Sequence, residues 1–144
     1  AWEFELYDEF KIFINNIMIR NFLILSCIGK KDIIGLKIDN SFTIHKIKES
    51  IHNSDLLSKI ILDFLKKNNT IVDNQFSIII NQGPGSFSSI RTSLTVAKGI
   101  KISTGANIYG YKQNQLPDFK LETIEKLIKQ NKLENKLIKP VYLS

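Results

Sequence analysis

The residues whose types and spacing best suit chemistry lie in one stretch, Gly83-Pro84-Gly85-Ser86-Phe87-Ser88-Ser89-Ile90-Arg91. It follows the apolar run Phe76 to Ile80, which reads as a buried strand, and it opens a stripe of apolar residues at helical spacing. A helix that starts straight after a glycine turn directs unpaired N–H groups and the positive end of its dipole outward, which suits an anion such as phosphate. Pro84 pre-sets φ for the second position of a turn, and Gly85 is expected to take the positive φ of a type II turn at the third. Two sharper signatures fail: no lysine follows a glycine as in G-x-x-x-x-G-K-[ST], and Ser88 stands where G-x-G-x-x-G has its third glycine. A turn that only reverses the chain is the competing reading.

Other catalytic constellations find less support. Ser86 lies in GPGSF and not in G-x-S-x-G, and nothing in the sequence sets a base beside it. His45 and His52 are the only histidines, one in an expected strand and one just before an expected helix, a poor pair for a metal. Neither catalytic nor metal-ligating residues are assigned. Cys27 is alone, so no disulfide closes within the chain, and its place in the apolar run Phe22 to Ile28 suggests a buried, inert thiol. Asp32 and Asp39 are the only carboxylates in the opening strands that could serve a nucleotide enzyme.

These residues must be positioned by the elements around them. Phe22 to Ile28, Ile33 to Ile38 and Phe42 to Ile47 are separated by short turn-like gaps and read as an antiparallel meander. After Asn53 or Ser54 as N-cap, Leu56, Leu57, Ile60, Ile61, Phe64 and Leu65 repeat at helical spacing, with Asp55 in the first turn and Lys66 and Lys67 in the last. Ile90, Leu94, Val96, Ala97, Ile100 and Ile102 predict a second helix ending near Thr104 and Gly105, and Ser93, Ala97 and Gly99 would let a neighbouring helix approach closely. Asn107 to Tyr111 is a last strand, reached by a right-handed βαβ crossover, so the sheet is mixed. Leu121 to Leu137 suggests an amphipathic helix broken near Asn131 or Asn135. The fold class is α/β, a meander followed by βαβ with helices packed on the sheet.

The chain has 144 residues, enough for one domain with a real core. Hydrophobic residues at 43% and charged residues at 24% match a globular protein, and 7 Gly with 3 Pro argue against long linkers. The net charge of +6 invites an acidic partner, although the lysines are scattered and not blocked. No run reaches the roughly 18 apolar residues of a membrane helix, and the start AWEFELYDEF is acidic and aromatic where a secretory signal would be basic. A cytoplasmic protein without a membrane role is expected. Residues 1 to 17 read as an N-terminal extension or an extra edge strand, with Met18 a candidate start.

GPGSFSSIR, followed by AKGI and then IYGY, resembles the bacterial TsaB (YeaZ) family, whose members carry a GPGSFTGLR-like loop and a helix containing AKGL. Gly83, Pro84, Gly85, Ser86, Phe87 and Arg91 coincide with the family loop, and Ala97, Lys98 and Gly99 with its helix. Ser88, Ser89 and Ile90 stand where Thr, Gly and Leu are usual. If that glycine position holds positive φ, Ser89 costs about 1–2 kcal/mol. The end, Lys139-Pro140-Val141-Tyr142-Leu143-Ser144, is similar to the PxYLR-like segment of family members. The resemblance implies a single half-domain of the actin/Hsp70 (RNase H-like) class. Residues 18 to 144 would form the family's N-terminal domain, with a short helical region replacing most of the second. Leu25-Ser26-Cys27-Ile28 stands where the family's first strand ends in an IDTS-like turn, so the carboxylate of that turn is missing.

What the resemblance implies for function is a non-catalytic scaffold. Family members pair through N-terminal helices with TsaD and, with TsaE, support formation of N6-threonylcarbamoyladenosine on tRNA. The expected partners are therefore a TsaD-like protein and a TsaE-like ATPase, with tRNA reached indirectly and a homodimer allowed in isolation. The chain would hold no cofactor of its own and meet ATP only through those partners. Leu56, Leu57, Ile60, Ile61, Phe64, Ser93, Ala97 and Lys98 are the expected partner contact, and Gly83 to Ser88 with Arg91 the loop that could take an anion. Two other classes stay open. A stand-alone phosphate or nucleotide enzyme of the actin/Hsp70/sugar-kinase class would need Asp32 or Asp39, and a basic tRNA-binding module would use Lys98, Lys101, Lys112 and the C-terminal lysines.

Overall fold

A computed structural model describes residues 19–135. The readings of residues 1 to 17, Met18, Leu137 and the final Lys139-to-Ser144 segment lie outside them. Five strands form one sheet: β1 (Phe22–Ser26), β2 (Ile33–Ile38), β3 (Ser41–Lys46), β4 (Ser77–Asn81) and β5 (Asn107–Tyr111), in the order β3-β2-β1-β4-β5. β1 is antiparallel to β2 and β2 to β3, whereas β1 is parallel to β4 and β4 to β5. The mixed sheet expected from the meander and the crossover is what forms. Short gaps permit antiparallel neighbours, and the parallel pairs need helical crossovers.

Alternation along the strands divides the core into two faces. Leu23, Leu25, Ile34, Leu36, Ile78 and Ile80 pack beneath helices α1 (Ser54–Lys67) and α2 (Phe87–Thr104). Phe22, Ile24, Ile79 and Tyr111 face α3 (Leu121–Lys129), which contributes Ile124, Leu127 and Ile128. β1 and β4 are thus buried on both faces, which explains their unbroken apolar runs. The result is a three-layer α/β/α arrangement.

The helix ends follow local chemistry. Asn53 caps α1 by accepting the Leu56 N–H at 2.8 Å, and Gly105 ends α2 in the left-handed conformation, φ 79°, with its N–H on Lys101 O. The last helix stops at Gln130, and Asn131 follows at φ 53°, at one of the two breaks expected from sequence. β3 and β4 are parallel and each hands the chain to a helix that returns it to the start of the next parallel strand, so α1 and α2 run side by side in the same direction.

Candidate functional site

The glycine loop joins the end of β4 to α2 and rests on the turn that follows β1. Ser86 caps α2, its Oγ accepting the Ser89 N–H at 3.4 Å. The Ser86 N–H donates to Ile28 O at 2.8 Å, and the Gly83 N–H donates to Asn81 Oδ1 at 2.9 Å. The type II turn expected at Pro84-Gly85 does not form. Positive φ falls on Gly83, at 100°, and not on Gly85, and the Gly83–Pro84 peptide is cis. Gly85 is required for a different reason: a Cβ there would lie 2.6 Å from Ile28 Cβ and 2.7 Å from Ile28 O. Gly29, at φ 103°, completes the joint from the other side, since a Cβ on it would meet Ser86 Cβ at 2.5 Å. Ser89 lies within the first turn of α2 with no positive φ, so the conformational penalty considered for a serine at that position does not arise.

Polar side chains gather where β1, β4 and β5 end. Asn81 Nδ2 donates to Ser26 Oγ at 3.1 Å and to Gln113 Oε1, and Gln82 Nε2 donates to Glu134 Oε2 at 3.0 Å. The Tyr111 hydroxyl is buried beside Ser26 and Asn81 without a hydrogen bond of good geometry to a described residue, and burial pushes its ionisation well up. Sequence reasoning missed this cluster. Its one signal was the pair Asn81-Gln82 directly after the three isoleucines of β4.

The two acids lie at opposite ends of β2, and only Asp32 is near the thiol. Asp32 stands at the start of β2, beside the glycine loop, where its carboxylate accepts the Gly29 N–H at 3.0 Å. Burial raises its pKa, and the neighbouring N–H groups of Gly29 and Ile28 offset this only in part. Asp39 sits in the β2–β3 turn at the opposite end of the sheet, exposed, at φ 53°. The two do not share a site. The Cys27 thiol is pushed up to about 12 by burial first, with the Asp32 charge adding, which matches the inert thiol expected. His45 lies over the Phe64 ring at 5.7 Å and His52 Nδ1 is 2.9 Å from Ser50 O, so the histidines serve different places. Among the described residues no three His, Cys, Asp or Glu side chains are grouped to hold a metal ion.

The two helices named as a partner contact turn most of those residues inward. Leu57, Ile61, Ser93 and Ala97 are fully buried in the core, Ile60 and Phe64 nearly so, and Leu56 is half-buried. The stripe on α1 is broad because the sheet covers one flank and α2 another. Of the named residues only Lys98 is exposed. The outward surface is instead Leu62 on α1, at 53% exposure, and the α2 stripe Arg91, Thr95, Lys98 and Ile102, with Ile102 at 85%. Phe87 and Arg91 stay together at its upper end, the guanidinium 5.8 Å from the ring centroid.

A mixed sheet in this order, two parallel helices on one face and a glycine loop engaged in packing define an α/β module whose most exposed apolar side chains include residues on its helices. Among solved structures the fold is similar to YeaZ from Pseudomonas aeruginosa, with a TM-score of 0.60 at 15% identity over 68% of this chain and 46% of that one. It is also similar to an uncharacterized protein described as having similarity to peptidase YEAZ from Pseudomonas aeruginosa, with a TM-score of 0.57 at 18% identity over 68% of this chain and 45% of that one. The chain thus spans less than half the length of either structure. No family model and no curated protein matches it.

Proposed function

We propose that the chain is a TsaB-like accessory subunit, non-catalytic on its own. It pairs with a TsaD-like protein and, with a TsaE-like ATPase, supports formation of N6-threonylcarbamoyladenosine on tRNA in the cytoplasm. The observation that carries this reading is the likeness of its sheet and helices to YeaZ at a TM-score of 0.60. The GPGSF and AKG residues point the same way independently of the fold.

The glycine loop supports a structural part in this reading, because its N–H groups at Gly83, Ser86 and Ser89 go to Asn81, Ile28 and Ser86. The partner surface is the outward side of α1 and α2. Leu62 and Ile102 supply apolar anchors, and α2 carries Arg91, Lys98 and Lys101 with no acidic residue along its length, a complement to an acidic surface. ATP reaches the complex through its partners, and tRNA contact is indirect.

Co-expression with the TsaD-like protein of the same organism, followed by affinity capture, tests this reading. A stoichiometric complex is expected, weakened about tenfold or more by Ile102→Glu or Leu62→Glu with no change in monomer melting. A folded chain that captures no TsaD-like protein contradicts it.

A further inference from the structure

Asn81 closes β4 at 1% exposure, and its amide meets three other parts of the chain. Oδ1 accepts the Gly83 N–H at 2.9 Å, and Nδ2 donates to Ser26 Oγ at 3.1 Å and to Gln113 Oε1. A side-chain amide offers two N–H donors and a carbonyl oxygen, and here each of them is engaged. The bonds gather around the start of the glycine loop. Ser26 ends β1, two residues before Ile28, whose carbonyl takes the Ser86 N–H at 2.8 Å. Gln113 follows β5, and its own N–H donates to Gly83 O at 2.8 Å. Since β4 lies between β1 and β5, Asn81 ties together the two strand ends between which the chain passes to begin α2.

We propose that Asn81 is the positioning residue of the partner-binding helix, a role that rests on the reading that the outward side of α2 meets a TsaD-like protein. By holding Ser26, Gly83 and Gln113 together, it fixes where α2 starts and the direction in which α2 leaves the sheet. Asn81 is buried at the strand end and acts on that surface only through the loop. Ile90, Leu94 and Ala97 hold α2 down on the sheet by apolar contact, which has little directional preference, whereas the hydrogen bonds at its start have defined geometry. The helix then works as a lever. Ile102 lies about 22 Å along the axis from Phe87 at about 1.5 Å per residue, so a tilt of about 5° at the start displaces it by about 2 Å. An interface core packed as densely as a protein interior does not absorb such a shift.

Two measurements on Asn81→Ala test the proposal, one of them without the partner. In the isolated chain, hydrogen exchange at the Ser86, Ser89 and Ile90 amides should speed up about tenfold or more beyond any change at Ile60 and Ile61 of α1. With the TsaD-like protein of the same organism, at a temperature where the variant is fully folded, affinity should fall about tenfold. A buried residue that only stabilises the fold would speed exchange at all these amides alike and leave the affinity of the folded protein unchanged, and either result overturns the proposal. Should the parent chain capture no TsaD-like protein, the partner reading fails by itself and exchange decides whether Asn81 sets the start of α2, uniform acceleration overturning it. If Asn81→Ala does not fold, Gln113→Ala decides. The Gln113 side chain is exposed and carries one of the three bonds, so its loss should move both measurements the same way by about threefold. No change in either overturns the proposal.

Discussion

Gly85→Ala tests the view that the glycine loop is a packing joint between α2 and the turn after β1. The added methyl would sit 2.6 Å from Ile28 Cβ, about 1 Å inside ordinary carbon contact, and 2.7 Å from Ile28 O. The second contact is backbone and cannot rotate away. Forcing a methyl into a packed site costs about 1–3 kcal/mol. Moving Ile28 O also disturbs its 2.8 Å bond from the Ser86 N–H, worth about 1 kcal/mol. Because Gly85 has no positive φ, alanine can adopt its backbone conformation, and the stiffer unfolded chain returns about 0.4–1 kcal/mol. The net loss is about 1–3.5 kcal/mol, read as a lower midpoint in urea denaturation with an unchanged slope. Phosphate should not alter the difference. A Gly85→Ala protein as stable as the parent would refute the close approach, and a loss seen only as weaker stabilisation by phosphate would show that the loop holds an anion.

Gly99→Ala should do the opposite: Gly99 is exposed within α2 and a Cβ there meets nothing within 4 Å, so a gain of about 0.5–1 kcal/mol in the same assay is expected. Ala97→Trp should destabilise the monomer by about 1–3 kcal/mol or more, because Ala97 is fully buried; normal melting of that variant would place Ala97 on the surface. Cys27 should resist a disulfide reagent at pH 8 in the native protein and react fully in denaturant. Between pH 9 and 12 the folded state holds the Cys27 proton that the unfolded state releases, so this group's contribution to stability falls as pH rises. Cys27→Ser should flatten that part of the pH profile, and an unchanged slope would contradict the buried thiol.

The strands and helices were legible because their signals are local. Turn-like gaps marked the meander of β1 to β3, the apolar run Phe76 to Ile80 marked β4, and Asn53 and Gly105 marked helix ends. What escaped depends on contacts distant in sequence. Gly83 and Gly85 flank the same proline, and only the approach of Ile28 decides that the first bends the chain and the second admits a neighbour. The apolar stripe of α1 could not say which flank met the sheet, which α2 and which solvent. Leu57 and Ile61 therefore read as partner contacts, while Leu62, one residue on, is the one exposed. Asn81, Ser26, Tyr111 and Gln113 belong to three strand ends and a following turn, and no spacing in the chain announces that they meet.

The central claim is that this chain completes a tRNA-modifying assembly without catalysing a step itself. Its most direct test is reconstitution with the TsaD-like and TsaE-like proteins of the same organism, measuring N6-threonylcarbamoyladenosine in tRNA by nucleoside mass spectrometry. Modification should appear when this chain is added, fall sharply with Ile102→Glu, and be unaffected by Asp32→Asn or Asp39→Asn. The same yield with and without the chain, or a yield abolished by Asp32→Asn in a protein that still folds, would contradict the account.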